Sequence, residues 1–342
     1  MGKRPTIADV AAKAGVSVST VDRVLNRRNP VQAKTAERVT DAAESLGYHG
    51  LALLRHRLRD LIPRRRFGFL LQREEKLYYR QLAADIRTAV ATASQIQGEA
   101  EITFVDDLDA RHIAQTMARL GKQVDALAVV AVDHALIADE IGRLREAGIP
   151  TFALLTDVSA PAKAGVVAVD GRKAGRVAGW AMTRLTRRAG TVGVLVGSHR
   201  YRGHEDCEMG LRGYLREHGQ GHRLLETALY LDREDLAQEV CHDLLERQPD
   251  LVGLHVIGGG IEGCLEALKS ERQIDDVVLT CHDLTPTTRQ ALAEGWLDMI
   301  IAPSTRQIAH MAVEAMIDAA AGKQQGCRQI AVPHEILVSE SL

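Results

Sequence analysis

Residues 6–26 have the sequence TIADVAAKAGVSVSTVDRVLN, which predicts two short helices joined by a tight turn. Thr6 can cap the first helix, with Asp9 reaching back three residues later in a capping box. Gly15 follows Ala11 by four residues, and glycine permits the backbone of such a turn. Ser17 can then cap the second helix. The pattern favours a helix-turn-helix over an ordinary helical hairpin in a core.

The second predicted helix has small polar residues and an arginine on its outer face. We expect Val18, Val21 and Leu25 to face inward. A short helix with such an outer face suits the floor of a DNA major groove. We expect base contacts from Ser17, Ser19, Asp22, Arg23 and Asn26, and phosphate contacts from Thr6, Thr20, Lys34 and Thr35. The carboxylate of Asp22 could either accept a hydrogen bond from a cytosine amino group or repel phosphate.

A third helix is predicted over residues 31–46. Its inner face would hold Ala36, Val39, Ala43 and Leu46, and Gly47 would end it. These three helices would form a compact headpiece over residues 1–50.

Residues 6–48 resemble the headpiece of the lac-repressor (LacI-type) transcription regulators. The resemblance is carried by Thr6, Asp9, Val10, Ala11, Ala14-Gly15-Val16-Ser17, Thr20-Val21, Arg23-Val24, Asn26, Val31, Thr35, Val39 and Leu46-Gly47-Tyr48. It implies a homodimer that binds a pseudo-palindromic DNA operator, since two-fold protein symmetry requires matching half-sites.

By the same resemblance, residues 51–66 are a hinge that inserts a leucine into the minor groove, which bends the DNA. Arg57 occupies the usual position of that leucine, so Leu54 or Leu58 would have to act in a shifted register. The alternative is a linker that never orders on DNA.

The charge of the chain is unevenly distributed. Residues 1–66 contain fourteen Lys and Arg against six Asp and Glu, whereas the remaining residues contain 29 against 39. A basic module beside an acidic body is typical of a protein that binds a polyanion at one end.

From residue 67 onward, short apolar runs alternate with amphipathic stretches, which predicts an α/β domain of doubly wound parallel sheets. We expect strands at 67–71, 102–105, 126–132, 151–155, 166–169, 192–196, 251–257 and 277–281, and helices at 81–97, 137–147, 173–187, 236–247 and 261–269. The number of strands suits two lobes. Ligands of such folds bind beyond the carboxyl ends of the strands.

This region resembles the sugar-binding-protein-like (periplasmic-binding-protein-like) effector domain of the same family. The resemblance is carried by residues 201–205 (YRGHE), 258–260 (GGG) and 282–286 (HDLTP). It implies an effector and dimerisation domain over 67–342, with crossings between lobes near Asp170, Pro303 and Gln329. The N-lobe would comprise 67–170 and 303–328, and the C-lobe 171–302 and 329–342.

The resemblance implies that a small molecule, by default a sugar or sugar derivative, binds between the lobes. Tyr78 and Tyr79 would contact it or merely pack, Asp133 and His134 would offer polar contacts, and Asp170 would contact it or cap a turn. Asp283, after a strand, is the strongest candidate, with helix capping as its alternative. Relatives carry an arginine where this chain has Cys207 and a glutamine where it has Pro303. Arg202, His204 or Glu205 could supply the polar ligand contacts that these two changes remove; the alternative is an unusual ligand.

Other chemistries fit less well. Gly258-x-Gly260-x-x-Gly263 matches a dinucleotide fingerprint after a predicted strand, so a nucleotide-dependent enzyme is one alternative, and a regulator with a vestigial effector domain is another. The five cysteines (207, 241, 264, 281 and 327) and 13 histidines are dispersed, and the sequence predicts no metal site, no cofactor and no enzyme activity. Without a signal peptide or membrane segment, we expect a cytoplasmic protein.

Overall fold

The computed structural model describes residues 5–26, 31, 33–52, 54, 62–272 and 276–342. They form two compact units. One comprises the described residues up to Arg65 together with Ala91–Glu99, and the other comprises Arg66–Val90 and Ala100–Leu342.

The first unit contains the helix-turn-helix, and its local structure follows the sequence. The unit includes α1 (Ile7–Ala14), α2 (Val18–Asn26) and α3 (Ala33–Ser45). The Thr6 hydroxyl accepts a hydrogen bond from the Asp9 backbone N–H, and the Asp9 carboxylate accepts one from the Thr6 N–H, so the capping box is confirmed. Gly15 ends α1 with φ +63°, a left-handed conformation that favours glycine.

The core of this unit corrects one prediction about α2. Val21, Val24 and Leu25 are buried, whereas Val18 is 51% exposed. Packing of α2 against the other helices starts at Val21, so the first turn of the helix remains outside the core.

The predicted hinge also differs from expectation. Leu54 is fully buried in the core formed by the three helices, and its N–H donates to the Gly50 carbonyl. A side chain held there has no free surface to insert into DNA. Arg57 and Leu58 lie outside the described residues.

The second unit is built on two sheets. The first sheet has the strand order β12-β5-β4-β3-β1-β2, with β1 Arg64–Gln72, β2 Gln97–Val105, β3 Ala126–Val129, β4 Thr151–Leu154, β5 Gly165–Ala168 and β12 Arg328–Ala331. Its helices are α4 Leu77–Thr92, α5 Ala110–Gly121, α6 Ala135–Glu146 and α12 Thr305–Ala320. The pairings of β1 with β3, β3 with β4, β4 with β5 and β5 with β12 are parallel.

The second sheet has the order β13-β11-β10-β9-β6-β7, and β8 also pairs with β6. Its strands are β6 Gly190–Val196, β7 His222–Leu224, β8 Ala228–Leu229, β9 Leu251–Ile257, β10 Val278–Cys281, β11 Met299–Pro303 and β13 His334–Leu337. Its helices are α7 Gly171–Leu185, α8 Arg202–His218, α9 Glu234–Arg247, α10 Ile261–Glu271 and α11 Pro286–Glu294. The sheet is parallel except for β13, which runs antiparallel to β11, so the predicted doubly wound architecture is confirmed.

The chain passes between the sheets three times. It leaves the first sheet after β5, returns to it after β11, and crosses again between Ala331 and His334. The third crossing comes later than the expected position near Gln329, because Gln329 pairs with Val166 inside the first sheet. Among the helices of the described residues, none has both the length and the apolar character that a membrane span requires.

Candidate functional site

A cavity of about 410 Å³ opens where the carboxyl ends of the strands of both sheets meet. Residues following β1, β4 and β5 line one side, and residues following β6, β9 and β10 line the other. This is the usual ligand position of doubly wound folds, and the volume suits a small molecule.

Three tyrosines form the aromatic part of the cavity wall. Tyr78 and Tyr79 open α4, with ring centroids 5.5 Å apart and planes at 82°, and Tyr201 precedes α8. Burial, and then the nearby charge of Asp283, raises the pKa of the Tyr78 hydroxyl, and burial likewise raises the pKa of Tyr79 and Tyr201. All three therefore remain neutral hydrogen-bonding groups with apolar faces.

Two buried carboxylates face the same space. Burial, and then the nearby charges of Glu262 and Asp232, raise the pKa of Asp283 to about 7, against the opposing effect of Lys76. Burial also raises the pKa of Asp232, against the opposing effects of His204 and the Gly259 N–H, which donates to Asp232 Oδ1 at 3.1 Å. The sequence prediction missed Asp232 because it follows the very short strand β8.

The glycine-rich turn accommodates the Asp232 carboxylate. A methyl group added at Gly197 or Gly258 would collide with Asp232 Oδ1, and Gly258 has φ +101°. The backbone of Asp232 itself is left-handed, with φ +54°, which is a strained conformation of the kind found at functional sites. The turn therefore presents a carboxylate to the cavity, and this opposes the binding of a phosphate there.

Two cationic side chains, Arg73 and Lys76, are among the described residues that line the cavity. Lys76 Nζ lies 2.7 Å from Glu234 Oε1, and Arg73 Nη1 donates to the Asp232 carbonyl at 3.4 Å. Both contacts join a residue that follows β1 of the first sheet to a residue that follows β8 of the second sheet. Among the described lining residues, the carboxylates of Glu75, Asp232, Glu234, Glu262 and Asp283 outnumber these two cations, so the cavity favours neutral or cationic ligands over anions.

His204 lines the cavity, as expected. Its Nδ1 lies 3.0 Å from the Ser198 carbonyl oxygen and 3.3 Å from the Ser198 backbone nitrogen. Burial lowers the pKa of His204 although Asp232 opposes the shift, so the imidazole is neutral at pH 7.

Two other predicted residues lie outside the cavity lining because each begins a helix. His134 Nδ1 accepts a hydrogen bond from the Leu136 N–H and caps α6. Asp170 accepts one from the Lys173 N–H and caps α7, which is the alternative that the sequence left open.

Asp133, Arg202 and Glu205 also lie outside the cavity lining. The Asp133 carboxylate accepts hydrogen bonds from the N–H and the hydroxyl of Ser159, and Arg202 Nη1 donates to the same hydroxyl. Glu205 lies in the first turn of α8. Asp133 and Arg202 therefore link the two sides of the second unit instead of facing the cavity.

Cys207, His255 and His282 meet at the edge of the cavity. Cys207 Sγ lies 3.6 Å from His255 Nε2 and 3.2 Å from His282 Nε2, and the two Nε2 atoms are 3.2 Å apart. Burial raises the pKa of the Cys207 thiol, lowers that of His255 and lowers that of His282 to about 4, so all three are neutral at pH 7. The sequence prediction missed this cluster because its members are far apart in the chain. Cys207 lies on α8, His255 lies on β9, and His282 directly follows β10.

In the first unit, the outer face of α2 carries the predicted DNA-contacting groups. Ser17, Ser19, Arg23 and Asn26 are exposed, whereas Thr20 and Asp22 are half-buried. Asn26 Nδ2 donates to Asp22 Oδ1 at 2.6 Å, so this carboxylate is tied to its own helix. The Ser17 hydroxyl accepts from the Thr20 N–H as a helix cap.

Three further residues were predicted to contact DNA phosphates. Thr6 is exposed within its capping box, Lys34 is exposed and Thr35 is half-buried on α3. The sequence prediction missed exposed Val18, whose side chain could contact a thymine methyl group.

A family model described as "Periplasmic binding protein domain" matches residues 67–324. The chain belongs to this family. A second model, described as "Bacterial regulatory proteins, lacI family", matches residues 6–50, so the family domain is joined to a LacI-type helix-turn-helix, as the sequence predicts.

Known transcriptional regulators are similar to this chain in sequence. An uncharacterized HTH-type transcriptional regulator in the aml 5' region of Streptomyces limosus is 31% identical over 205 residues, which are 58% of this chain and 54% of that protein. The chain thus spans about half the length of this relative. The HTH-type transcriptional regulator IpsA of Corynebacterium glutamicum is 26% identical over 325 residues, 87% of each chain.

The fold of the periplasmic binding protein domain also matches solved structures. The glucose-galactose binding protein GanP of Geobacillus stearothermophilus superposes with a TM-score of 0.72 at 18% identity, over 81% of this chain and 98% of that chain. The likeness establishes the two-lobed fold.

Proposed function

We propose that this chain is a sequence-specific transcription regulator, a repressor, whose affinity for an operator is controlled by a small polyhydroxylated molecule in the cavity. One observation carries the proposal: the same chain combines a helix-turn-helix with a polar outer face on α2 and a tyrosine- and carboxylate-lined cavity between two sheets. The relatives that are named transcriptional regulators support it.

The chemistry of the cavity supports a sugar or sugar derivative as ligand. The faces of Tyr78 and Tyr79 can pack on the C–H surface of a sugar ring, and Asp283 and Asp232 can accept hydrogen bonds from its hydroxyl groups. A partly open cavity of this size, with tyrosines and carboxylates in its lining, favours a working effector site over a vestigial one.

The same carboxylates argue against a nucleotide-dependent enzyme. The Gly259 N–H, which a dinucleotide phosphate would need, donates to Asp232 instead. A diphosphate placed there would face like charges on Asp232, Glu262 and Asp283. We propose that the chain binds its ligand without converting it.

Ligand control would follow from differential affinity for two arrangements of the lobes. The contact between Lys76 and Glu234 joins the sides of the cavity and would break if the cavity opened. The domain limits follow as part of the proposal, with a headpiece that includes Leu54 and an N-lobe that extends to Ala331. Two such chains would bind the two halves of a pseudo-palindromic operator as a homodimer.

The DNA part of the proposal is tested by selecting binding duplexes from a random library and measuring affinity against salt. We expect affinity to fall steeply as salt rises, because Lys and Arg displace counterions from phosphate. Arg23→Ala should weaken specific binding by about 1–3 kcal/mol, whereas Arg216→Ala, which removes an exposed guanidinium from α8, should not. Affinity that is independent of salt, or equal losses in both variants, contradicts the proposal.

The ligand part is tested by a thermal-shift screen of sugars, polyols and sugar acids, followed by operator binding with each stabilising compound. We expect a neutral polyhydroxylated compound to change operator affinity, and Asp283→Ala to abolish that response without changing operator affinity in the absence of ligand. A response retained by Asp283→Ala would remove Asp283 from the site. A screen without any stabilising compound would favour the vestigial alternative.

A further inference from the structure

We propose that Cys207, His255 and His282 bind a transition-metal ion of the Zn²⁺ type at the edge of the cavity. The sequence predicts no metal site, because the three residues lie on separate elements. The fold brings their sulfur and nitrogen atoms together, all within 4.8 Å of one another. The proposal goes beyond the proposed regulation by a small molecule and does not depend on it.

The triangle of ligand atoms has the dimensions of one face of a metal tetrahedron. A tetrahedral Zn²⁺ with ordinary bond lengths holds two nitrogen ligands about 3.3 Å apart and a nitrogen and a sulfur about 3.6 Å apart. The two Nε2 atoms are 3.2 Å apart, and the Sγ–Nε2 distances are 3.6 Å to His255 and 3.2 Å to His282. An ion can therefore be placed against all three atoms with little movement of the side chains.

Hydrogen bonds on the far side of each imidazole orient the rings for this purpose. His282 Nδ1 lies 3.0 Å from the Ile301 carbonyl oxygen, which can only accept, so Nδ1 carries the proton and Nε2 presents a lone pair to the cluster. His255 Nδ1 lies 2.7 Å from Thr280 Oγ1, which can accept in the same way. Metal-binding histidines are held by contacts of this kind.

The cluster is buried but reachable. His255 is fully buried and Cys207 is 2% exposed, whereas Cys207 and His282 also line the cavity. Three protein ligands leave the fourth position of a tetrahedral ion facing the cavity, where water or a ligand hydroxyl could bind. The excess of carboxylates around the cavity favours entry of a cation. A thiolate with two imidazoles suits Zn²⁺ and not Mg²⁺ or Ca²⁺.

Binding needs no redox partner. The Sγ–H bond of Cys207 breaks, its proton leaves to solvent, and the thiolate and the two Nε2 lone pairs form bonds to the divalent ion. No electron is transferred.

Co²⁺ tests the proposal, because it takes tetrahedral Zn²⁺ sites and its thiolate bond gives a near-ultraviolet charge-transfer band. The full chain, freed of metal with a chelator, should bind one Co²⁺ with this band and with intense visible bands, and one equivalent of Zn²⁺ should bleach both. Equilibrium dialysis should give one Zn²⁺ per chain. A wild-type protein that shows no such band overturns the proposal whatever the variants do.

Variants then assign the ligands. Cys207→Ser should lose the near-ultraviolet band, and His255→Gln should reduce Co²⁺ affinity by at least about tenfold. Cys327→Ser is the matched control, since Cys327 is exposed, and it should keep the wild-type spectrum. Circular dichroism establishes that each variant is folded. A near-ultraviolet band that survives Cys207→Ser, or that Cys327→Ser removes, overturns the assignment of Cys207 as a ligand. These experiments do not measure operator binding, so a failure of the metal proposal would leave the proposed regulation unaffected.

Discussion

At the scale of single residues, the charge of the Asp283 carboxyl depends directly on the fold. Its carboxyl is buried beside Glu262 and Asp232, which raises its pKa to about 7 from an ordinary value of 3.8. At neutral pH it is therefore divided between a neutral form, which can donate a hydrogen bond, and a charged form, which accepts hydrogen bonds from ligand hydroxyls.

This shift predicts a pH dependence of stability. Between about pH 4 and 7, folded Asp283 holds a proton that the unfolded chain has lost, so its contribution to the free energy of unfolding falls as pH rises, by up to about 1.4 kcal/mol per pH unit. Asp283→Asn removes that slope, and its stability relative to wild type should rise with pH. Urea unfolding at several pH values measures this. The exposed Asp139→Asn is the control; parallel slopes for wild type and Asp283→Asn would contradict the prediction.

Residues that directly follow long buried strands could be predicted from the sequence. Asp283 lines the cavity as expected, because the apolar strand before it marks the edge where ligands bind. His204 also lines it, but it was named from the resemblance to the effector domain and not from a strand end. Asp232 and the pair His255 and Cys207 could not be predicted in this way, since their position depends on which strands become neighbours. His134 and Asp170 were placed correctly at strand ends, but their side chains cap the helices that begin there.

At the scale of elements, the turn between α1 and α2 depends on a side chain of α3. Arg38 Nη2 donates to the Ala14 carbonyl at 2.5 Å and to the Gly15 carbonyl at 3.3 Å. These contacts satisfy carbonyl groups at the end of α1 that have no partner within the helix, so α3 fixes the orientation of α2.

We expect Arg38→Ala to destabilise the helix-turn-helix by about 1–3 kcal/mol, because it leaves a partly buried carbonyl without its charged donor. Hydrogen exchange of the full chain should show lost protection in residues 7–26 and unchanged protection in β9. Glu37→Ala, on the exposed face of the same helix, is the control and should change neither. Equal protection in wild type and Arg38→Ala would show that the contact contributes little.

The sequence predicts elements well where their signal is local. Capping residues and a glycine located α1 and α2, and apolar runs located the central strands. Helices α5, α8, α11 and α12 were not among those predicted. The buried face of α8 is sparse, comprising Cys207, Gly210, Leu211 and Leu215. Strands β7, β8, β11, β12 and β13 were not predicted. Most residues of β12 and β13 are not buried, so they lack the apolar signal of a strand, whereas β11 is buried and was simply missed.

At the scale of the whole molecule, two units with separate cores imply two folding transitions. The helical unit has a small core, and a small core stabilises a domain less than the large cores of the second unit do. Calorimetry of the full chain should show a minor transition below the major one. Selected operator DNA should raise the midpoint temperature of the minor transition, and a cavity ligand should raise that of the major transition, because each stabilises the unit it binds. A single transition that both ligands shift alike would contradict this.

The late position of α12 and β12 in the chain has a consequence for biosynthesis. Both elements complete the first sheet, with α12 against β3 and β5 and β12 beside β5, yet they follow every helix and all but one strand of the second sheet. Because translation proceeds from the amino terminus, the edge of β5 stays without its partner β12 until most of the second sheet has been synthesised. A chaperone that shields that open edge would therefore act before the second lobe is released, not after it.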